Sequence, residues 1–373
     1  MIKTLIIMGT RPEAIKMVPV VRELRRRPEQ FLVRVCATAQ HREMLDQVFG
    51  LFGIVPDIDL ALMQPGQTPT QVAARVFEKL EPVLAAERPD WLLAQGDTTT
   101  VLAAAIAAHY QRVRVGHVEA GLRSFDRANP FPEEMNRVLT DHASDLHFVP
   151  TQQARRNLLH EGFTDATIRV TGNTVIDALL QVVAEPFEPT SEHLSAIRDD
   201  SRRMVLVTAH RRESFGEPLL HICSALRDLA ARGDVRIVYP VHLNPSVWGP
   251  VHEALVGVPG ITLLPPVDYR TLVWLLQRCT LVLTDSGGIQ EEAPSLGKPV
   301  LVLREVTERP EGVEAGTARV VGTDAAQIVS EANRLLDDAA IYQNMARAVN
   351  PYGDGRAAER IADSLLEWNH GHG

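Results

Sequence analysis

Short apolar runs of β-type residues alternate with helical patterns along almost the whole chain. This alternation is typical of a parallel sheet covered by helices. In the first half, strands are predicted at Thr4–Met8, Leu32–Cys36, Trp91–Gln95, Val113–Val118, Leu146–Val149 and Ile168–Thr171. In the second half, they are predicted at Met204–Thr208, Val235–Tyr239, Ile261–Leu264, Leu281–Thr284, Val300–Leu303 and Arg319–Val321. Six strands in each half predict an α/β protein with two Rossmann-like domains.

The boundary between the two domains is predicted after Thr171. A helix follows this residue and leads into the Pro- and Glu-rich stretch Glu185–Thr190, which has the composition of a surface connection. At 373 residues the chain is long enough to build two separate cores. The predicted domains are residues 1–171 and 172–355, and a final helix at 356–373 is expected to join the first domain.

The composition argues against several kinds of partner and of structural site. A net charge of −9 argues against a nucleic acid partner, because phosphate backbones are bound by clustered Lys and Arg. The three cysteines are too scattered for a disulfide framework or a zinc site, and they are expected to be buried free thiols. No apolar run reaches membrane-spanning length, and the first one is too short for a signal peptide. We therefore expect a cytoplasmic protein without a membrane partner.

The stretch Leu281–Glu292 carries the clearest candidate binding signal. A predicted strand ends in Ser286-Gly287-Gly288, and a helix pattern begins directly behind it. Unpaired amides at a helix start form a ready site for a phosphate, and glycines let the phosphate approach the backbone. A carboxylate one turn later, Glu291 or Glu292, could accept hydrogen bonds from a ribose. The alternative is an ordinary strand-to-helix turn with a capping serine.

Polar residues follow several other predicted strands. In an open parallel sheet the ligand crevice lies outside the carboxyl ends of the strands, so these positions are candidates for a site. The first half places Arg11, Lys16, Asp97, Glu119 and Glu133 there or at the following helix start, and the second half places His210, Arg211, Arg212, His242 and Arg309 there. Each residue alone could be a helix cap, a structural histidine or a solvated charge. Their recurrence at strand ends favours a functional site.

The missing cofactor motifs restrict the chemistry. No G-x-G-x-x-G follows a strand and no Walker-type G-x-x-x-x-G-K occurs, which disfavours nicotinamide enzymes and ATPases. A phosphate-binding turn, cations and several carboxylates suit a nucleotide-activated sugar. Either its glycosyl group is transferred, or the sugar is rearranged by removing and returning a proton. Three candidate carboxylates, Asp97, Glu119 and Glu133, are more than a simple transferase needs, so rearrangement is favoured.

Seven motifs together resemble one enzyme family, the non-hydrolysing UDP-N-acetylglucosamine 2-epimerases of bacteria. The motifs are Gly9–Glu13, Gln95–Thr98, Gly116–Arg123, Pro132–Arg137, His210–Glu213, Asp285–Gly288 and Thr307–Gly312. They occur in the family's order and spacing, and the resemblance runs from about Thr4 to Ala362.

The resemblance implies a homodimer whose two domains face a central cleft, as in the glycosyltransferase B fold. It implies reversible conversion of UDP-GlcNAc to UDP-ManNAc without a cofactor or metal, in the service of cell-envelope polysaccharide synthesis. In that mechanism UDP leaves C1 as the C2 proton is lost, and UDP then adds back to the 2-acetamidoglucal intermediate. A hydrolysing 2-epimerase and a glycosyltransferase of the same fold are the alternatives.

The resemblance also assigns residues. It implies catalytic roles for Asp97, Glu119, Glu133 and His210. It implies substrate contacts for Arg11, Lys16, Arg137, Arg211, Ser286, Gly287, Gly288, Glu292 and Arg309.

Some members of this family bind a second, activating UDP-GlcNAc beside the active site. The matching residues here are Gln40, His41, Arg212 and His242. Two positions depart from those members: Glu43 stands where Gln is expected, and Gly66 stands where an Arg occurs. The pattern of the activating site is therefore incomplete in this sequence.

Overall fold

The structure is a computed structural model of the chain, and it describes residues 1–38, 42–62, 64 and 66–371. Within these residues, two parallel sheets contain seven and six strands. The strands are β1 (Ile2–Met8), β2 (Phe31–Ala37), β3 (Ile58–Asp59), β4 (Trp91–Gln95), β5 (Arg114–Val118), β6 (Leu146–Val149), β7 (Ile168–Val170), β8 (Arg203–Thr208), β9 (Val235–Pro240), β10 (Ile261–Leu264), β11 (Leu281–Thr284), β12 (Val300–Val302) and β13 (Ala318–Val320).

Helices connect the strands. They are α1 (Arg11–Arg25), α2 (Arg42–Phe52), α3 (Pro69–Glu87), α4 (Thr99–Tyr110), α5 (Glu133–His142), α6 (Gln152–His160), α7 (Thr174–Ala184), α8 (Glu192–Arg198), α9 (Glu217–Ala230), α10 (Pro245–Leu255), α11 (Tyr269–Arg278), α12 (Gly287–Ser295), α13 (Pro310–Glu314), α14 (Ala325–Asp337), α15 (Ala339–Ala346) and α16 (Ala357–Gly371). In the part of the chain that is described, none of them combines the length and the apolar character needed to span a bilayer.

The strand order has the same form in both sheets. It is β3-β2-β1-β4-β5-β6-β7 in the first and β10-β9-β8-β11-β12-β13 in the second. In each sheet the order therefore reverses beside the first strand in sequence, and such switch points are where open α/β sheets bind ligands. Register places Gln95 of β4 opposite Val118 of β5, so the residues that follow these strands emerge side by side.

All twelve predicted strands are present, with end shifts of at most two residues, but the prediction of six in the first half was wrong. The additional strand, β3, has only two residues and pairs with Cys36 and Ala37 at the edge of the sheet. A two-residue strand cannot show the apolar run or the alternation from which strands are recognised. The long strands are recognisable because both sheet faces are covered, which makes each strand a continuous apolar run.

Two compact units make up the chain. The first contains Met1–Ala178 and Tyr352–Gly373, and the second contains Leu179–Pro351. The division falls inside α7 rather than after Thr171, because the residues just before this helix are tied to the C-terminal segment. The Asn173 amide donates to the Tyr352 carbonyl at 2.7 Å, and Arg360 donates to the Thr171 carbonyl at 2.9 Å.

The core of each unit is formed by its sheet and the helices packed on it. The side chains of Leu5, Val76 and Leu80 have no solvent exposure in the first unit, nor have those of Leu206 and Leu283 in the second. The cysteines are free and buried, as expected, at Cys36, Cys223 and Cys279.

Asp177 joins α7 to the last helix. Its buried carboxylate accepts hydrogen bonds from the amides of Ala357 (3.2 Å) and Ala358 (2.8 Å), the first two residues of α16. Burial raises the pKa of Asp177 from 3.8 to about 6, although both amides oppose the change. The folded protein thus binds a proton at this group in a pH range where the unfolded chain has released it.

We expect Asp177 to make the protein less stable as pH rises from about 4 to about 6. The folded state holds the extra proton in this window, so its stability falls with pH by about 3 kcal/mol, at about 1.4 kcal/mol per pKa unit. Asp177→Asn removes this proton exchange. Urea unfolding at both pH values should show that the unfolding free energy of the parent minus that of the variant is smaller at the higher pH. Asp165→Asn is the sign control: pairing with Arg155 lowers the pKa of Asp165 from 3.8, so the difference should grow as pH rises to about 4 and then change little up to about pH 6.

Candidate active site

The turn from β1 into α1 presents the first two candidate cations. Thr10 caps α1, and its partner in the capping box is Glu13, whose carboxylate accepts the amide of Gly9 at 2.6 Å. This arrangement fixes the start of the helix. Arg11 is the first residue of α1, and Lys16 lies in its second turn. The position of Lys16 agrees with the one expected from the sequence, whereas Arg11 was expected in the loop and is instead the first helical residue, because Thr10 caps the helix one residue earlier.

Glu119 follows β5 and is held by three side chains. Its backbone has a φ of +67°, unusual for a residue with a Cβ, and the residue is only 8% exposed. Lys16 Nζ lies 2.6 Å from each carboxylate oxygen, Asn173 Nδ2 donates to Oε1 at 3.0 Å, and Gln95 Nε2 donates to Oε2. The predicted acid and cation are therefore brought together, with Glu119 fixed as a hydrogen-bond acceptor.

Asp97 follows the neighbouring strand, β4, after Gly96, which has a φ of +83°. Arg137 of α5 lies 2.6 Å from its Oδ2, and the Asp97 side chain keeps 30% of its surface accessible. Removal of water by the surrounding protein raises the pKa of Asp97; Arg137 opposes this change and the charge of Glu119 adds to it. Asp97 can therefore hold a proton more readily than an ordinary aspartate.

The adjacent acids at the start of α5 have different surroundings. Glu134 is buried, and its carboxylate accepts the amides of Ser124 (3.0 Å) and Phe125 (3.0 Å), so it anchors the preceding loop. Glu133, the first helical residue, is partly exposed, and its charge contributes to the raised pKa of Asp97. Of the two acids, Glu133 is the one left accessible to a ligand.

In the second unit, Asp285 organises the loop that follows β8. It has no solvent exposure, and its Oδ2 accepts the backbone amides of His210 at 2.6 Å and Arg211 at 2.7 Å. Its Oδ1 lies 3.6 Å from His210 Nδ1. One buried carboxylate therefore fixes the backbone that carries two of the predicted site residues.

The His210 ring stacks on the ring of His242, with 5.3 Å between their centroids and 13° between their planes. Burial lowers the pKa of His210; Asp285 opposes this change, and the charge of His242 reinforces it. The ring is still 39% accessible. His210 is therefore biased toward a neutral imidazole that can accept or donate one proton.

The Ser286 turn leads into α12 as predicted. Ser286 is the N-cap residue, but its hydroxyl makes no capping hydrogen bond. Gly287 lies against Arg309, since a Cβ added to Gly287 would stand 3.6 Å from the guanidinium carbon. The turn thus combines helix-terminal amides with a cation, the arrangement that binds a phosphate.

The two carboxylates behind this turn, which the sequence left as alternatives, are engaged differently. Glu291 is buried and forms an ion pair with Arg309 Nε, which keeps that cation beside Gly287. Glu292 accepts the Tyr269 hydroxyl at 2.5 Å, and its second oxygen faces Gly288, 4.0 Å from a Cβ built there.

The residues expected for a second nucleotide-sugar site are only partly described. Arg212 and His242 are exposed in the second unit, whereas Gln40 and His41 lie outside the described residues. Gly66 has a φ of +70°, a conformation that an arginine rarely adopts. The departure from Arg at this position is therefore accompanied by a backbone that favours glycine.

Sequence reasoning missed three residues that hold the candidate acids and the His210 loop: Gln95, Asn173 and Asp285. Gln95 and Asp285 lie at strand ends, the signal that identified the other site residues. Neither was selected, because each is close in sequence to a residue that was, Asp97 and Ser286. Asn173 lies after β7, far along the chain from Glu119, and only the sheet order brings the two together. Among the described residues, no group of three or more His, Cys, Asp or Glu side chains could hold a metal ion.

The fold resembles those of known proteins. A protein from Neisseria meningitidis, whose crystal structure is described as UDP-GlcNAc 2-epimerase bound to UDP-GlcNAc, superposes with a TM-score of 0.87 at 44% identity, covering 98% of this chain and 100% of that one. A kitacinnamycin glycotransferase, at 13% identity, shares the fold alone, with a TM-score of 0.66 and 98% of both chains covered. These likenesses confirm the predicted fold class.

Sequence comparison extends over nearly the whole chain. The UDP-N-acetylglucosamine 2-epimerase of Salmonella typhimurium is 55% identical over 374 residues, which covers 98% of this chain and 99% of the relative. The sequence model of the family described as UDP-N-acetylglucosamine 2-epimerase matches residues 22–366. The chain therefore belongs to the UDP-N-acetylglucosamine 2-epimerase family.

Proposed function

We propose that the protein interconverts UDP-GlcNAc and UDP-ManNAc by inverting C2 of the sugar, without hydrolysing the nucleotide sugar. Family membership supports the substrate. The observation that best supports the proposed reaction is the pair of acids, Asp97 and Glu119, at the ends of neighbouring strands. Asp97 has a raised pKa, whereas Glu119 accepts hydrogen bonds from Lys16, Gln95 and Asn173. Two acids in such different environments suit a reaction that removes one proton and returns another.

The C2 proton of the sugar is not next to a ketone, so its direct removal as a proton would be too costly. We propose that the bond from C1 to the UDP oxygen breaks as the C2–H bond breaks, which forms a C1=C2 double bond in 2-acetamidoglucal. UDP then adds back to C1 while a proton is delivered to the other face of C2. No water is consumed, and Asp97, Glu119 and Glu133 are the proposed proton-transfer and supporting acids.

The second unit supplies the proposed UDP contacts. Amides of Ser286, Gly287 and Gly288 at the start of α12 suit a diphosphate, and Arg309 adds a cation beside them. Glu292 is the proposed ribose ligand, because its second oxygen faces the same turn. These groups would hold UDP both as a leaving group and as the nucleophile that returns.

The remaining candidates support this chemistry. His210, whose backbone Asp285 holds, is the group proposed to assist charge changes on the departing diphosphate, and Arg211 and Arg11 are proposed as further diphosphate contacts. In the first unit, Lys16 positions Glu119, and Arg137 positions Asp97.

Incubation with UDP-GlcNAc alone in heavy water tests the proposal, with products followed by proton NMR. We expect intact UDP-ManNAc, with deuterium at C2 of both product and recovered substrate, because the proton lost to an acid exchanges with solvent before another is returned. Free ManNAc with UDP would identify a hydrolysing enzyme. A requirement for an acceptor would identify a glycosyltransferase, and epimerisation without deuterium would contradict elimination and re-addition.

The homodimer, the cytoplasmic location, the role in cell-envelope polysaccharide synthesis and the activating second site stay predictions from the family resemblance.

A further inference from the structure

His117 lies on β5, two residues before Glu119, and has no solvent exposure. Both nitrogens of its ring have a close oxygen. Nδ1 lies 2.6 Å from Oδ1 of Asp141 on α5, and Nε2 lies 2.8 Å from the carbonyl oxygen of Gly96. Both distances are those of good hydrogen bonds. The positions of the protons are therefore set by what these two oxygens can do.

The Gly96 carbonyl can only accept, so Nε2 must carry a hydrogen. Asp141 also acts as an acceptor: its other oxygen receives the Gly121 amide at 3.2 Å and pairs with Arg123 at 2.7 Å. Burial alone would raise the pKa of Asp141, but pairing with His117 and Arg123 holds it at about 2. An ionised Asp141 requires that Nδ1 also carries a hydrogen.

We propose that His117 is an imidazolium ion with hydrogens on both ring nitrogens, and that this buried cation is a positioning residue for the loop that carries Asp97. The protonation state rests on the hydrogen bonds and the charges around the ring. The positioning role rests on the proposed function, since it requires Asp97 to act in the reaction.

The charges around the ring balance in this state. Arg123 forms a two-pronged ion pair with Glu161, with Nε and Nη2 each 2.7 Å from a carboxylate oxygen, in addition to its contact with Asp141. The cluster of His117, Arg123, Asp141 and Glu161 then has two positive and two negative charges. A neutral His117 would leave one unbalanced negative charge, and a lone pair would face the Gly96 carbonyl in a buried site. Both are costly in a protein interior.

A second buried histidine of the same region differs from His117. His147, on β6, has its Nε2 2.9 Å from the Asp141 carbonyl, but its Nδ1 lies 3.3 Å from the Thr167 carbonyl, a poor distance for a hydrogen bond. Neither nitrogen faces a carboxylate. Burial lowers the pKa of His147; Asp141 opposes this change and the charge of His117 adds to it, so His147 is biased toward the neutral form.

The imidazolium links the elements that carry the proposed acids. It lies on β5, the strand that Glu119 follows, it holds the carbonyl of the residue before Asp97, and it pairs with the helix that begins at Glu133. The loop has a second anchor, because Asn136 of α5 donates to the Asp97 carbonyl at 2.9 Å. The Gly96 amide also donates to the Val118 carbonyl at 3.1 Å, so loss of the His117 contact would release one of several hydrogen bonds that fix this loop.

The protonation state can be measured on the unaltered protein by NMR with ¹⁵N-labelled histidine, using the exposed His160 as the internal reference. We expect both His117 nitrogens to show bound, slowly exchanging protons with closely similar ¹⁵N shifts at neutral pH. A proton-free nitrogen would overturn the imidazolium. This result does not depend on turnover, so it stands even if the proposed reaction is wrong.

Two variants test the positioning role. In His117→Gln an amide can still reach the Gly96 carbonyl, whereas in His117→Asn the shorter amide can reach only Asp141. Both lose the cation, so both should have similarly lowered melting temperatures. We expect kcat of the Asn variant to fall about 100-fold with KM within about three-fold, since small displacements of reacting groups cost this much. The Gln variant should retain at least about ten-fold more kcat. Equal kcat values, or a change in KM alone, would overturn the role.

Discussion

We expect the Asp97→Asn protein to bind UDP with an affinity within about two-fold of the parent while its kcat falls by about two to four orders of magnitude, the usual contribution of a general acid or base. The exchange preserves the shape of the side chain but removes its ability to gain and lose a proton. Arg137, which pairs with Asp97, keeps its contact with Glu134 at 3.5 Å, so the start of α5 should remain in place.

Initial rates with UDP-GlcNAc and calorimetric titration with UDP separate the two quantities, and loss of deuterium incorporation at C2 reports the proton step directly. Asp46→Asn is the matched control, since Asp46 is an exposed aspartate on α2 of the same unit and its loss should leave kcat unchanged. If UDP binding fell together with turnover in Asp97→Asn, the carboxylate would be a structural anchor instead of an acid–base group.

The strands, and therefore the positions of their carboxyl ends, could be predicted from the sequence, because a strand buried on both faces is a continuous apolar run. The same logic brought Asp97 and Glu119 to one edge, since parallel neighbouring strands end on the same side. It could not show that Asn173 contacts Glu119, because that contact depends on the order of β5, β6 and β7 in the sheet. Sequence separation carries no information about such a contact.

Adjacent residues of like chemistry were also beyond sequence reasoning. Glu133 and Glu134 are neighbours in the chain, yet one is partly exposed and the other is buried under two backbone amides. The difference comes from the loop at residues 124–125, whose amides need an acceptor, and not from the helix pattern. Likewise Glu291 and Glu292 divide between Arg309 and Tyr269 because successive helical residues point about 100° apart. The sequence pattern shows in which turn of a helix an acid lies, but only the packing around it shows whether its carboxylate is already bound within the protein.

Asp285→Asn should weaken UDP binding and turnover together, in contrast to the change at Asp97. The buried carboxylate accepts the amides of His210 and Arg211, and hydrogen bonds to a charged group contribute about 1.5–3 kcal/mol each. A neutral amide oxygen would hold these two donors less firmly, and its NH₂ group would have to face His210 Nδ1, which lies 3.6 Å from Oδ1 in the parent. The loop should therefore lose its fixed position.

When the loop is no longer held in position, UDP affinity should fall by about ten- to one-hundred-fold, the melting temperature should be lower and kcat should be reduced. Calorimetric titration with UDP, thermal unfolding and initial rates measure the three effects. Asp324→Asn is the matched control in the same unit: Asp324 caps α14 by accepting the Gln327 amide at 2.9 Å, and asparagine caps a helix about as well as aspartate. Unchanged UDP affinity in a folded Asp285→Asn protein would contradict a role for the His210 loop in holding the diphosphate. A fall in affinity at Asp285 but not at Asp97 would assign binding of UDP to the second unit and proton transfer to the first.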